Sequence, residues 1–406
     1  MTKFEPSRLN RIGDWMKRYV DERKYAGSSL LIKHNGQEVF FNAYGKRSIE
    51  HNLPFQRDTL VRIYSMTKPV TTVAVMMLAE RGLFHLDAQL SEFLPEFSDM
   101  QALVPGAMST DQTEKAPTPT LHQLLTHTSG FSYPFNPGIL PELMDAQDMV
   151  FKPDQGLLAD RVYDLAALPL AFQPGSRWEY SVGIDVVGRV IEVVSGKSLD
   201  KFLAQEVLEP LGMHETDFTV PTGAGDRFAS LYTPLEGNAM ALNSAQTGTE
   251  TLRLVDHAGR SPFEKTTTFS GGGGLVGTID DYSRFAEMLR NRGQGNGHRL
   301  LSPKTVEYML INHLPGDIAS MGPQSFAEQP MEGTGFGLGG AIVTNPGRVR
   351  VPGSLGDFSW GGMASTFFWI DRVNNMTSVF FTQLSPSSSY PSRAELKALV
   401  LGAMIE

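Results

Sequence analysis

Apolar residues recur at helical spacing across residues 8–25, at Leu9, Ile12, Trp15, Met16, Tyr19 and Val20, and predict an amphipathic helix. The pattern then becomes extended over residues 28–34 and 37–44, which flank Asn35-Gly36, a strong hairpin signal. A further extended piece, residues 59–63, leads into an almost unbroken apolar run over residues 70–81 that stops at Gly82, as a helix with a glycine terminator does. From residue 86 to about residue 256 short helical stretches (121–130, 184–194, 199–208) alternate with loops rich in Pro, Gly, Asp and Thr. The last third returns to the opening pattern. A glycine passage over residues 269–275 precedes a helix over residues 280–290 with an Asp cap. Residues 337–344, 349–351, 363–370 and 376–384 are strand-like, the last two around a hairpin loop at 371–375, and a closing helix follows from about Ser392 to Met404. Strands at both ends around a helical middle predict an α+β architecture. Residues 1–85 and 257–406 form one antiparallel sheet flanked by helices, and residues 86–256 form a mostly helical inserted lobe.

Composition narrows the function classes. Hydrophobic content of 41% and charged content of 19% are those of an ordinary globular protein. A net charge of −9 without a basic run argues against a nucleic-acid partner. The absence of cysteine removes disulfides, thiolate metal sites and a cysteine nucleophile together. No metal is expected either, since His122 and His127 diverge around their helix and His214-Glu215 has no partner histidine four residues on. Gly335-Phe336-Gly337-Leu338-Gly339-Gly340 has dinucleotide-type spacing but is followed by a strand, and Gly196-Lys197-Ser198 lacks the upstream glycine of a phosphate loop, so no cofactor is expected. No apolar run reaches the length of a membrane span, and residues 1–9 lack the apolar core of a secretory signal; the expectation is a cytoplasmic protein without a membrane partner.

The candidate chemistry begins just ahead of the apolar helix, at Ser65-Met66-Thr67-Lys68-Pro69. Pro69 fits in a first helical turn. Ser65 and Lys68 then stand side by side at i and i+3, a hydroxyl beside an amine that can take its proton, at the positive end of a helix. Alone, such a pair is a weak signal and reads first as a surface helix cap. Two further stretches are candidates. Tyr180 sits in a loop before the 184–194 helix, where a phenol relays protons or is simply a buried tyrosine. Ser359-Trp360-Gly361-Gly362-Met363-Ala364-Ser365 is expected to begin a strand, its glycines admitting a substrate along the edge or marking a bulge.

A Ser-x-x-Lys helix, a Tyr loop and a glycine-edged strand, in that order, resemble the penicillin-recognising serine hydrolases over nearly the whole chain. His127-Thr128-Ser129-Gly130 and residues 271–281 share the resemblance. Within that superfamily the chain is most similar to the family VIII carboxylesterases, which have a class C β-lactamase-like fold. The resemblance implies a single β-lactamase/transpeptidase-like domain with Ser65 as nucleophile, Lys68 as general base, and Tyr180, hydrogen-bonded to Lys68 or Ser65, passing the proton to the leaving alcohol. It implies an oxyanion hole from the backbone N–H groups of Ser65 and Met363. The pocket is expected to be lined by Trp360, Gly361, Gly362 and Tyr133, with Trp360 holding the Lys68–Tyr180 pair.

The chain departs from the lactamase pattern at two places. Val182 stands where class C β-lactamases carry the Asn of Tyr-x-Asn, and Trp360-Gly361-Gly362 stands where they carry Lys-Thr-Gly. Losing an amide and a cation removes partners for the lactam's acylamide arm and carboxylate, a deficit on the order of 10⁴-fold when such partners are buried. The expected substrate is therefore a neutral small-molecule ester with a short acyl chain. An acyltransferase that passes the acyl group to an alcohol has the same three residues. A β-lactamase or D-amino-acid peptidase fits less well, and a non-catalytic binding protein would not need Ser65, Lys68 and Tyr180 together.

Overall fold

The 8–25 stripe folds as α1 (Pro6–Asp21), with proline in its first turn and Leu9, Ile12, Trp15, Met16 and Tyr19 buried. The chain is seen here in a computed structural model that describes residues 4–237 and 246–405. Residues 1–3 of the stretch read for a leader, residues 238–245 of the predicted inserted lobe and residue 406 lie outside the described residues. Strands β1 (Gly27–His34) and β2 (Gln37–Ser48) follow. They are joined at Asn35 (φ 53) and Gly36 (φ 79), the paired left-handed residues that Asn-Gly supplies at low cost. β2 continues past Tyr44 because Gly45 (φ 85) has no Cβ; one there would stand 2.4 Å from the Ala26 carbonyl oxygen.

Six more strands complete the sheet: β3 (Leu53–Pro54), β4 (Thr334–Phe336), β5 (Ala341–Val343), β6 (Phe358–Gly361), β7 (Phe367–Asp371) and β8 (Met376–Thr382). Their order is β4-β5-β6-β7-β8-β1-β2-β3, antiparallel throughout. β8 lies against β1 with Ser28 opposite Thr382 and His34 opposite Met376. The sheet thus joins both ends of the chain, as the strand pattern predicts.

Alternation along the strands sorts two cores. Leu30, Ile32, Phe367, Trp369 and Phe380 belong with residues of α1 and α5 (Ser392–Gly402). Leu31, Phe368, Ile370, Val379 and Phe381 belong with residues of α2 (Thr67–Glu80), α3 (Gly183–Ser195) and α4 (Ile279–Arg290). Every residue of α2 from Thr67 to Leu78 is buried, so this helix, enclosed on all sides, is the centre of the molecule. Among the described residues no helix is long and apolar enough to cross a membrane.

Several boundaries differ from those predicted. Residues 337–340 turn between β4 and β5 instead of extending the strand. The expected strand at 349–351 is the end of a helical turn, Pro346–Val349, closed by Arg350 at φ 59. The helix predicted over 121–130 stops at Leu125, before His127 takes φ 56. Thr278, not an aspartate, precedes α4. Trp360-Gly361 ends β6 rather than beginning a strand, and β7 starts only at Phe367, after a turn in which Ser365 has φ 63.

Candidate active site

The chain reaches Ser65 through a two-residue strand, Val61–Arg62, paired with Val276–Gly277. It then turns a sharp corner at Tyr64 (φ 43), a left-handed conformation that costs a non-glycine residue energy and is held here by its surroundings. A 3-10 turn, Tyr64–Met66, carries Ser65 directly into α2, so the serine precedes the regular helix instead of lying within its first turn. Two bonds pin the corner: Leu275 N–H donates to Thr67 Oγ1 (3.1 Å) and Tyr282 OH donates to the Met66 carbonyl (2.8 Å).

Lys68 is fully buried. Its Nζ donates to the Gly272 carbonyl (2.7 Å) and to Tyr133 OH (2.9 Å) and stands 3.5 Å from Ser65 Oγ. Two of its valences are held by fixed acceptors, and the third faces the serine. Tyr133 OH in turn donates to Asp185 Oδ2 (3.4 Å). Asp185 Oδ1 accepts from Ser270 Oγ and from Gly272 N–H (3.0 Å). Burial pushes the Asp185 carboxyl above the usual range, opposed first by Lys68 and then by the Ser270 and Gly272 bonds. Burial, with Asp185 and Tyr180 behind it, drives the Tyr133 phenol well above its ordinary value. Tyr133 therefore keeps its proton and serves as a bridge, not a base.

The expected hydrogen bond from Tyr180 to Lys68 or Ser65 is absent. Tyr180 instead presents its ring face to Lys68, Nζ lying 4.6 Å from the ring centroid, and its buried hydroxyl has no hydrogen-bond partner among the described residues. Tyr133, expected only as pocket lining, holds the lysine in its place. Asp185 and Gly272 were not anticipated. The one signal for Asp185 is a carboxylate in the first turn of a helix whose neighbours Ile184, Val186 and Val187 are all apolar and buried. Gly272 is explained by that same carboxylate, since a Cβ there would sit 2.2 Å from Asp185 Oδ2.

His127 packs behind Tyr180, ring centroids 4.8 Å apart. Its Nδ1 accepts from Ser181 N–H (3.2 Å), which places the proton of the neutral ring on Nε2, an atom with no hydrogen-bond partner among the described residues. Burial, then Lys68, depresses its pKa well below the usual value, so it stays uncharged. His122 bonds His313, Nε2 to Nδ1 at 3.1 Å. No group of three His, Cys, Asp or Glu among the described residues could hold a metal ion.

Ser65 faces a cavity of about 530 Å³ lined by aromatic rings and by Trp360, Gly361, Gly362 and Met363. Trp360 stacks on Phe326 (5.9 Å, 11°) and meets Tyr180 (5.4 Å) and Phe336 (5.3 Å, 89°). Tyr133 stacks on Phe135 (4.8 Å, 17°) across the site. Gly362 allows the end of β6 to touch the chain before Ser65, for a Cβ there would lie 2.3 Å from the Ile63 carbonyl oxygen. Gly362 N–H bonds the Thr366 carbonyl (2.9 Å), whereas Met363 N–H donates to no acceptor among the described residues. Ser65 N–H belongs to the opening of a helix, where amide donors lack intrahelical acceptors.

The chain has relatives. The family model described as Beta-lactamase matches residues 12–402. The chain is 33% identical over 386 residues to Protein Rv1367c of Mycobacterium tuberculosis, covering 93% of this chain and 91% of that one. It is 30% identical over 384 residues to Esterase EstB of Burkholderia gladioli, covering 93% and 90%. Among solved structures it resembles EstCE1, a hydrolase with promiscuous acyltransferase activity, with a TM-score of 0.78, 26% identity and coverage of 97% and 98%.

Proposed function

The chain belongs to the β-lactamase family, and from that premise we propose that it is a serine carboxylesterase acting on neutral, short-chain esters. The observation that carries this reading is the buried Lys68 held by Gly272 and Tyr133 with its free valence toward Ser65 Oγ, beside an apolar aromatic pocket. Lys68 in its amine form takes the Ser65 proton as Oγ attacks the ester carbonyl. The tetrahedral oxyanion is met by the N–H groups of Ser65 and Met363, a donor of this kind being worth about 3–4 kcal/mol of barrier. Collapse expels the alcohol, which takes a proton that Tyr180 hands on from Lys68; the unpartnered phenol fits a group that meets its partner only when substrate is bound. Water then attacks the acyl-enzyme with the same base, releasing the acid and restoring Ser65. Tyr133 and Asp185 hold Lys68 in position.

An alcohol in place of water in the second half would give acyl transfer by the same residues, and the likeness to EstCE1 supports that second reading. Val182 and Trp360 disfavour lactams, as argued from the sequence. The test is hydrolysis of p-nitrophenyl butyrate beside nitrocefin, with fluorophosphonate labelling of Ser65. Wild-type protein is expected to turn over the ester, leave nitrocefin nearly untouched and label at Ser65. Retention of ester hydrolysis by Ser65→Ala would sink the assignment.

A further inference from the structure

Phe326 reaches the wall beside Trp360 from a two-stranded hairpin, its ring also lying against Tyr180 (5.0 Å) and Trp178 (6.0 Å). Its strands, Ser325–Phe326 and Gln329–Pro330, pair at Ser325↔Pro330 and Phe326↔Gln329. Its turn residues, Ala327 (φ 46) and Glu328 (φ 61), are both left-handed and neither is glycine, so the backbone is strained where it reverses. One backbone bond, Met331 N–H to the Gln324 carbonyl (2.9 Å), closes the base.

What grips the tip comes from behind β6. Arg393, in the first turn of α5, lies over Gly361 so closely that a Cβ there would stand 2.6 Å from its Nη2. Its Nη1 donates to the Ala327 carbonyl (3.4 Å), and its Nε lies 3.6 Å from Glu328 Oε1. The two side chains are 9% and 11% exposed, and neither Glu328 oxygen accepts a hydrogen bond among the described residues. The guanidinium is therefore the charge that offsets a buried carboxylate, and both partners sit at the left-handed turn. Arg393 lies against Gly361 and reaches the cavity lining there, while Trp360, the preceding residue of β6, lines the same cavity, so the latch and the ring stack share β6 between them.

Resting on the esterase reading, we infer that the Arg393–Glu328 contact sets how long a carbon chain the Ser65 site accepts, by holding Phe326 flat against Trp360. Arg393 and Glu328 are positioning residues: they touch no reacting atom, and they act through the ring that Phe326 presents. With the latch intact the stacked rings close the wall. With it broken the hairpin relaxes its turn, Phe326 withdraws, and room opens beside Trp360 for a longer chain on the acyl or the alcohol side of the ester.

The test compares wild type with Phe326→Ala, Glu328→Gln and Arg393→Met on two series, p-nitrophenyl esters of lengthening acids and butyrate esters of lengthening alcohols. Wild-type turnover that Ser65→Ala abolishes secures the esterase reading first. Each of the three variants is expected to raise the ratio of kcat/KM for eight-carbon over four-carbon chains by about tenfold in one series, which identifies the side of the ester concerned. Phe326→Ala/Glu328→Gln is expected to move the ratio no further than Phe326→Ala alone, because both act on one ring. If Glu328→Gln and Arg393→Met leave the ratio in place while Phe326→Ala moves it, or if all chain lengths fall in parallel, the latch is overturned. Should wild type hydrolyse no ester, acrylamide quenching of tryptophan fluorescence reads the wall directly: quenching should rise in Glu328→Gln, and an unchanged value overturns the inference.

Discussion

Lys68 has two phenols within reach and bonds only one of them. Because Tyr133 is held protonated between Lys68 and Asp185, removing its hydroxyl leaves a loosened lysine but leaves the proton donor to the alcohol in place. Tyr133→Phe is therefore expected to lower kcat about tenfold, and Tyr180→Phe, which removes the group proposed to protonate the alcohol, by about 10²–10³-fold. Steady-state kinetics on p-nitrophenyl butyrate decides between them, and the reverse order would move the proton transfer to Tyr133. Gly272→Ala places a methyl 2.2 Å from Asp185 Oδ2 and must shift both that carboxylate and the carbonyl that Lys68 bonds. A fall in kcat of about 100-fold, with the melting temperature changed far less, is the expected result. Ser65 and Lys68 were legible because one helical turn sets their separation. Tyr133 and Asp185 were not, since their meeting with Lys68 is made by tertiary packing between segments far apart in sequence.

At the level of elements, periodicity located α1, α2, α3 and the β1–β2 hairpin, where local pattern and burial agree. It failed in the glycine-rich stretches around residues 337–340 and 361–365, whose backbone is dictated by contacts with Met309, Thr72 and Phe358 in the first and with Ile63, Thr366 and Arg393 in the second, which no local pattern announces. The 325–330 hairpin was missed for the same reason. Its Glu328 also makes a prediction about pH. Burial, opposed by Arg393, raises the carboxyl from 4.5 to about 7. A carboxyl raised on folding binds more protons in the native state, so its contribution favours the fold below the unfolded value and is lost as pH rises through about 7. Arg393 is its cationic neighbour and Tyr25 lies within its field. Thermal melts at pH 5 and pH 8 should therefore show wild type losing ground to Glu328→Gln at the higher pH. A difference independent of pH would contradict the raised carboxyl.

Across the whole molecule, Arg62 gathers distant parts of the chain. Its side chain is fully buried. It donates to Asp256 (2.6 and 2.9 Å), to the Ala229 carbonyl (2.6 Å) and to Gln383 Oε1 (3.2 Å), and its guanidinium stands 3.9 Å from the Phe228 ring centroid. It thus ties the segment before Ser65 to the middle of the chain and to the end of β8. Arg62→Met fills similar volume but leaves Asp256 without its cation, and should cost about 3–5 kcal/mol in urea unfolding. The two-ended sheet itself was legible in the sequence, because strand pattern reappears after a long helical interval. The charge that fastens the interval to the sheet was not, since an isolated arginine in a strand reads as surface.

The antiparallel sheet with β1 between β2 and β8 has a consequence in time. A ribosome delivers β1 and β2 among the first residues of the chain and β8 among the last, so one edge of β1 stays bare through most of synthesis. α2, buried on every side in the finished fold, emerges in the same interval without its covering helices. Ser65 is thus made early, while its helix and sheet must await the far end of the chain, with sticky surface exposed in the meantime. For this topology the last strands translated act as the clasp, and a nascent chain released short of Met376 carries Ser65 on an unclosed fold.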